Sequence, residues 1–210
     1  MIKKILPLLL LAISILFAIG CGKIVSISSR LADSANTSIS SSGSKEGVYT
    51  YNHPGFLRDK AAITKAVDEL KKMDKFAGKK IMVFQNLSVH DDGRILMEIQ
   101  DPAKPENIDH YEYSEGKWEA PEPVKISGKG EMADNLTPLD DIAITAVPEM
   151  MKITDEKAKT IEGGKAKPYL SFLFSVTSGD SRWLTSLEGT REEYSCDFNK
   201  DGSLRKCEKS

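Results

Sequence analysis

Three cysteines and three histidines in 210 residues leave little for metal or nucleophilic chemistry. Two tryptophans and an aromatic content of 7% leave few large anchors, and charge is nearly balanced at a net −2. No Cys/His cluster has the spacing of a zinc site. The histidines, His53, His90 and His110, sit beside a Pro-Gly pair, a turn and a tyrosine. No nucleophile motif accompanies them, so a hydrolase would need a polar pocket gathered from distant segments. Gly128-Lys129-Gly130 is too short for a phosphate loop and reads as a hinge. No basic stripe runs along the chain, which argues against nucleic acid as a partner. No cofactor is expected.

Hydrophobic runs are also scarce, with one exception. Lys3 and Lys4 precede an almost unbroken apolar stretch, Ile5 to Ile19, which is short for a membrane span. Ala18-Ile19-Gly20-Cys21 closes it with small residues and a cysteine, the shape of a secretory signal. This ending resembles the lipobox of bacterial lipoproteins, with Ala18 where leucine is usual. The resemblance implies that residues 1–20 are removed and that Cys21 is acylated with diacylglycerol and a further chain such as palmitate. It also implies a protein held in the bacterial envelope by a lipid anchor. The same resemblance implies, from Gly22 rather than aspartate after the cysteine, a place at the outer membrane, facing the periplasm. Loss of Lys3 and Lys4 takes the net charge to −4. Residues 21–46 then form a Ser-rich tether, too poor in apolar side chains to order itself.

Beyond the tether, the spacing predicts an α+β chain of two tandem units, each a helix packed on an antiparallel sheet, at 47–128 and 129–210. In the first, Ile63, Ala66, Val67, Leu70 and Met73 recur at helical spacing within Asp59–Phe76, followed by strands at Lys80–Val89, Arg94–Gln100, Ile108–Tyr113 and Lys117–Glu119. Asp91-Asp92-Gly93 marks a tight turn, and Asp101–Asn107 a proline-broken loop. In the second, Thr137-Pro138 reads as a helix start, with Pro148 kinking that helix and Gly163-Gly164 ending it. Strands are expected at Tyr169–Thr177, across Arg182–Phe198 with a break at Gly189, and at Ser203–Cys207.

With Cys21 lipidated, Cys196 and Cys207 remain as an even pair in an oxidising compartment, favouring a disulfide. Register decides. A two-residue turn at Asp201-Gly202 puts Cys196 opposite Cys207, whereas a type I turn with Gly202 in a bulge puts 196 opposite 206. Asp197, Asn199, Asp201, Gly202 and Glu208 together satisfy the EF-hand loop pattern, but the flanking segments read as strands, so the loop reads as a hairpin turn and no metal is expected.

The remaining candidates are aromatic. Tyr111, Tyr113 and Trp118 gather round one hairpin and Trp183 lies in the second unit, the residue types that most often anchor protein interfaces. Ile142–Gly164, Leu170–Val176, Thr190–Tyr194 and Asp197–Leu204 resemble PepSY-like lipoprotein domains, a helix on an antiparallel sheet. The tandem layout is similar to that of β-lactamase inhibitory proteins, which implies binding through a sheet face. The expectation is a non-enzymatic, lipid-anchored envelope protein that binds another envelope protein or a peptide. One alternative is an assembly lipoprotein docking through an edge strand, and another is a periplasmic hydrolase.

Overall fold

The computed structural model describes residues 53–127, 130–175 and 179–210, and residues 47–210 cluster as one compact unit. The expected signal segment, Cys21 and the expected tether lie outside the described residues, as do Gly128 and Lys129 of the expected hinge. No described helix is long and apolar enough to cross a membrane.

The first helix, α1 (Lys60–Lys72), buries Ile63, Ala66, Val67 and Leu70, the i, i+3, i+4, i+7 stripe of an amphipathic helix. The Asp59 carboxylate caps it by accepting from the Ala62 amide at 2.9 Å. Lys71 and Lys72 in its last turn suit the negative end of the helix dipole. Four antiparallel strands follow: β1 (Met82–His90), β2 (Ile95–Asp101), β3 (Lys104–Ser114) and β4 (Lys117–Trp118). The loop expected over Asp101–Asn107 is tighter than that. The Asp101 side chain accepts from the Ala103 amide at 2.8 Å, and β3 already begins at Lys104. Pro105 is accommodated because it falls where the ladder is irregular, so its missing N–H removes no cross-strand bond, and its carbonyl accepts from the Gln100 side chain at 2.7 Å. Lys75 ties the end of α1 to this turn, at 2.8 Å from Asp109 and 3.2 Å from Asp101. Burial works to lower its pKa, but these carboxylates and the Tyr111 hydroxyl hold it above the ordinary lysine value.

A connection carrying β5 (Glu122–Pro123) and β6 (Leu136–Pro138) leads to the second half. β5 lies on the outer flank of β3 and β6 on the far flank of β1, so the chain passes the ends of three strands. Phe84 and Ile108 are buried at that end, apart from the main core cluster. Thr137 and Pro138 therefore belong to a strand and do not open a helix. The second helix, α2 (Val147–Ala158), starts ten residues later, after short 3-10 turns at Leu139–Asp141 and Ile144–Ala146. Pro148 sits in its first turn, where the missing N–H has no intrahelical partner to lose; the proline starts the helix and kinks nothing. At its far end, Gly164 has no room for a side chain: a Cβ there would lie 2.3 Å from the Ala158 carbonyl oxygen.

The last strands are β7 (Lys165–Ala166), β8 (Tyr169–Ser175), β9 (Asp180–Glu188), β10 (Glu193–Asn199) and β11 (Leu204–Lys209), with the break between β9 and β10 at Gly189. All eleven strands form one sheet. Its main path runs β11-β10-β9-β8-β1-β2-β3-β4, so the two halves meet where β1 pairs antiparallel with β8. Inward residues of both halves, among them Val89, Met97, Phe172, Trp183 and Phe198, share a single apolar cluster with the buried faces of α1 and α2. Both helices thus cover the same face of the sheet. The result is an α+β protein dominated by antiparallel sheet.

Cys196 and Cys207 are direct cross-strand partners and form a disulfide. The route to that register combines both expected geometries. Gly202 takes φ 87° and the Asn199 amide donates to the Ser203 carbonyl, which is the bulged turn that would set 196 against 206. A second irregularity follows: Phe198 pairs Leu204 but Asp197 pairs Lys206, leaving Arg205 as an extra residue that restores the cysteine pairing.

Candidate functional site

Three of the four aromatic residues expected to bind a partner are buried. Tyr111 is 2% exposed, Tyr113 4% and Trp183 0%, all within the apolar cluster beneath the helices. Trp118 is half-buried at the sheet edge, where its indole N–H donates to the Ala66 carbonyl of α1 at 2.8 Å. Sequence alternation identifies residues that share a face but not which face is covered, and these face the helices. Tyr111, Tyr113 and Trp183 are core residues and Trp118 packs against that core, so the four do not form an exposed aromatic patch.

The face without helices carries a different set. Glu112, Leu96, Ser88, Ser171, Leu184, Asp197 and Lys206 are successive cross-strand partners from β3 to β11. Two residues along each strand lie His110 opposite Glu98, then Asn86, Leu173, Arg182 and Asn199 as further partners. At its centre, on β8, Tyr169 is 40% and Leu173 36% exposed. Tyr169 opens this central strand and Leu173 lies towards its end, with half-buried Ser171 between them and hydroxyls, an amide and charges around them.

A β-bulge shapes this surface. The β1–β2 register shifts between Val83 and Leu87, and Gln85 adopts φ 53°, a left-handed conformation that costs a non-glycine residue roughly 1–2 kcal/mol. Its side-chain amide is held by the Asn135 carbonyl at 2.8 Å. Beside the bulge is a recess of about 250 Å3 lined by Asn86, Ser88, Leu96, Glu98, His110, Ser171 and Leu173, with Leu87 and Met97. A second recess of about 380 Å3 shares Asn86 and Leu173 and extends to Asp180 and Arg182.

Ser88 and His90 on the same face are in contact, hydroxyl to Nε2 at 2.9 Å. Burial, helped by Arg94, pushes the His90 pKa below the ordinary histidine value. A serine nucleophile needs its histidine oriented by a third group, and among the described residues no carboxylate is hydrogen-bonded to this ring. Of the two acids that follow it in sequence, Asp91 accepts from the Leu57 amide and from Arg58, and Asp92 is engaged by Arg94 at 2.9 Å. His53 contacts Asp59 at 3.2 Å on the surface.

The EF-hand-like residues serve their hairpin. Asp201 accepts from the Ser203 amide and hydroxyl at 2.9 and 2.6 Å, Asn199 donates to the Ser203 hydroxyl, and Asp197 is buried with Ser195 as its partner. Strands β10 and β11 flank the loop. No group of three His, Cys, Asp or Glu that could hold a metal occurs among the described residues.

Two other surfaces compete less well. A depression of about 970 Å3 along α2 is lined by Arg58, Glu149, Lys152, Asp155 and Lys159, among others. Its charges largely satisfy one another: Arg58 is held by Asp155 through two bonds of 2.7 and 2.8 Å, and Lys159 by Glu156 at 2.6 Å. The edge strand β11 carries Arg205, Lys206, Glu208 and Lys209 with a bulge at Arg205, the features that keep an edge from pairing.

Sequence reasoning passed over Leu96, Glu98, Tyr169 and Leu173. A signal was present: Ile95-Leu96-Met97 and Tyr169-Leu170-Ser171-Phe172-Leu173-Phe174 are apolar on both faces, although helices cover only one. The chain matches no family model, no curated protein and no solved structure.

Proposed function

We propose that this chain is a lipid-anchored, non-enzymatic protein of the bacterial envelope, attached through Cys21, that binds an envelope protein or peptide on the uncovered face of its sheet. The observation that carries the reading is the exposure of Tyr169 and Leu173 on the central strand, set between polar and charged residues on the sheet face that neither α1 nor α2 covers. The edge-docking alternative is weakened by the charged, bulged β11, and the hydrolase alternative by the missing third group at Ser88–His90. The lipid anchor rests on the lipobox-like sequence ending at Cys21, with an outer-membrane, periplasm-facing position as its natural extension.

In this reading the two halves are tandem units. Each gives a helix and then four main strands, α1 with β1 to β4 and α2 with β8 to β11, and the strand order mirrors about the β1–β8 pair. That arrangement agrees with the likeness to PepSY-like domains and to β-lactamase inhibitory proteins.

The test combines anchor and face. Cys21→Ser abolishes incorporation of labelled palmitate and releases the chain from membranes. Leu173→Asp removes crosslinked envelope partners while leaving the circular dichroism unchanged; Ile153→Asp, on exposed α2 surface, does not. Partner recovery unaffected by Leu173→Asp would contradict the face assignment.

A further inference from the structure

Taking the open face as the docking surface, we infer that the recess beside the β1 bulge receives a basic side chain, lysine or arginine, from the docked polypeptide. The stem lies between Leu96 and Leu173, and the cationic head meets Glu98.

Charge leads to this assignment. The side-chain carboxylates of Glu98 and Glu112 form no ion pair or hydrogen bond with a described residue, although both backbones are paired in the β2–β3 ladder. On the β9–β11 side the cations are matched: Arg182 is 3.9 Å from both Asp180 and Asp197, and Lys206 pairs with Glu208. The uncompensated charge on the face is therefore negative and concentrated on β2 and β3. A docked partner removes Glu98 from water. An unpaired buried carboxylate is strongly unfavourable, so the partner must supply a counter-charge there. An anion would be repelled, and a purely apolar side chain would leave Glu98 without a partner.

Shape and lining agree. The recess, about 250 Å3, is of a size for one long side chain, and apolar Leu96 and Leu173 line it together with the polar Glu98, Asn86, Ser88, Ser171 and His110. Lysine and arginine combine an alkyl stem with a charged tip in the same way. The Asn86 carbonyl and the two serine hydroxyls are further acceptors for the N–H groups of that tip. The bulge is part of the arrangement, because the strained Gln85 directly precedes Asn86, which lines the recess.

The test is an NMR titration of the 15N-labelled full chain with four-carbon probes. n-Butylammonium and n-butylguanidinium are expected to shift the Ser88, Leu96, Ser171 and Leu173 amides saturably, butyrate to leave them in place, and n-butanol to bind at least about tenfold more weakly. Glu98→Gln, at a half-exposed position, is expected to weaken the cations about tenfold with the fold unchanged, and Glu112→Gln, outside the recess, less than about twofold. Equal binding of butanol or butyrate, no cation binding, or indifference to Glu98→Gln would overturn the inference. Because partner crosslinking at Leu173 is read separately, loss of the cation preference with crosslinking intact would defeat this inference alone.

Discussion

At the scale of single residues, His90 makes stability depend on pH. Its folded pKa lies below the unfolded value of about 6.5, so below that pH the unfolded chain takes up a proton that the folded chain refuses. Stability present above pH 6.5 is therefore lost as pH falls through that value towards the folded pKa. His90→Gln removes this component. Urea midpoints at pH 7.5 and 5.5 should fall less between the two pH values in the variant than in the parent protein; an equal fall would contradict the assignment. Residue-scale reading of the aromatics explains why the most anchor-like residues were poor guides. Tyr111 and Trp183 have a polar handle suited to interfaces, but they occupy positions whose face is settled only by where the helices pack. Truncating them would report on folding before it reported on binding.

At the scale of elements, the disulfide joins β10 to the edge strand across a sequence separation of 11. Closing a loop of that size contributes about 2–3 kcal/mol. Replacing both cysteines by alanine should lower unfolding stability by about that amount. Hydrogen exchange should rise mainly in β10 and β11, and protection unchanged there would mean that the strand is held by other contacts. Elements also show what was legible beforehand. The helix α1 was readable because its stripe, cap and terminal lysines all agree, and the hairpins were readable from Asp91-Asp92-Gly93 and Gly189. The start of α2 was not, since a three-residue strand and two 3-10 turns carry no period, and Thr137-Pro138 carries the same chemistry as a helix cap. The cysteine register was undecidable locally, because the bulge at Arg205 cancels the one at Gly202.

At the scale of the whole molecule, the pairing of β1 with β8 joins strands some eighty residues apart in sequence and creates a surface that neither half owns. No local pattern announces such a contact, which is why the recess and Glu98 escaped the sequence while the α+β composition did not. The surface spans both halves: Ser88, Leu96 and Glu98 come from the first, Ser171, Leu173 and Leu184 from the second. This places the proposed docking surface at the junction, away from the helix groove and from the edge.

The measurement that tests this most directly is site-specific photocrosslinking in intact cells, with the photoreactive residue placed in the full chain at position 173 and, separately, at position 153. The account predicts discrete envelope-protein adducts from 173, lost when Leu184→Asp is added, and none from 153. Adducts from 153 alone, or the same adducts from both positions, would contradict it.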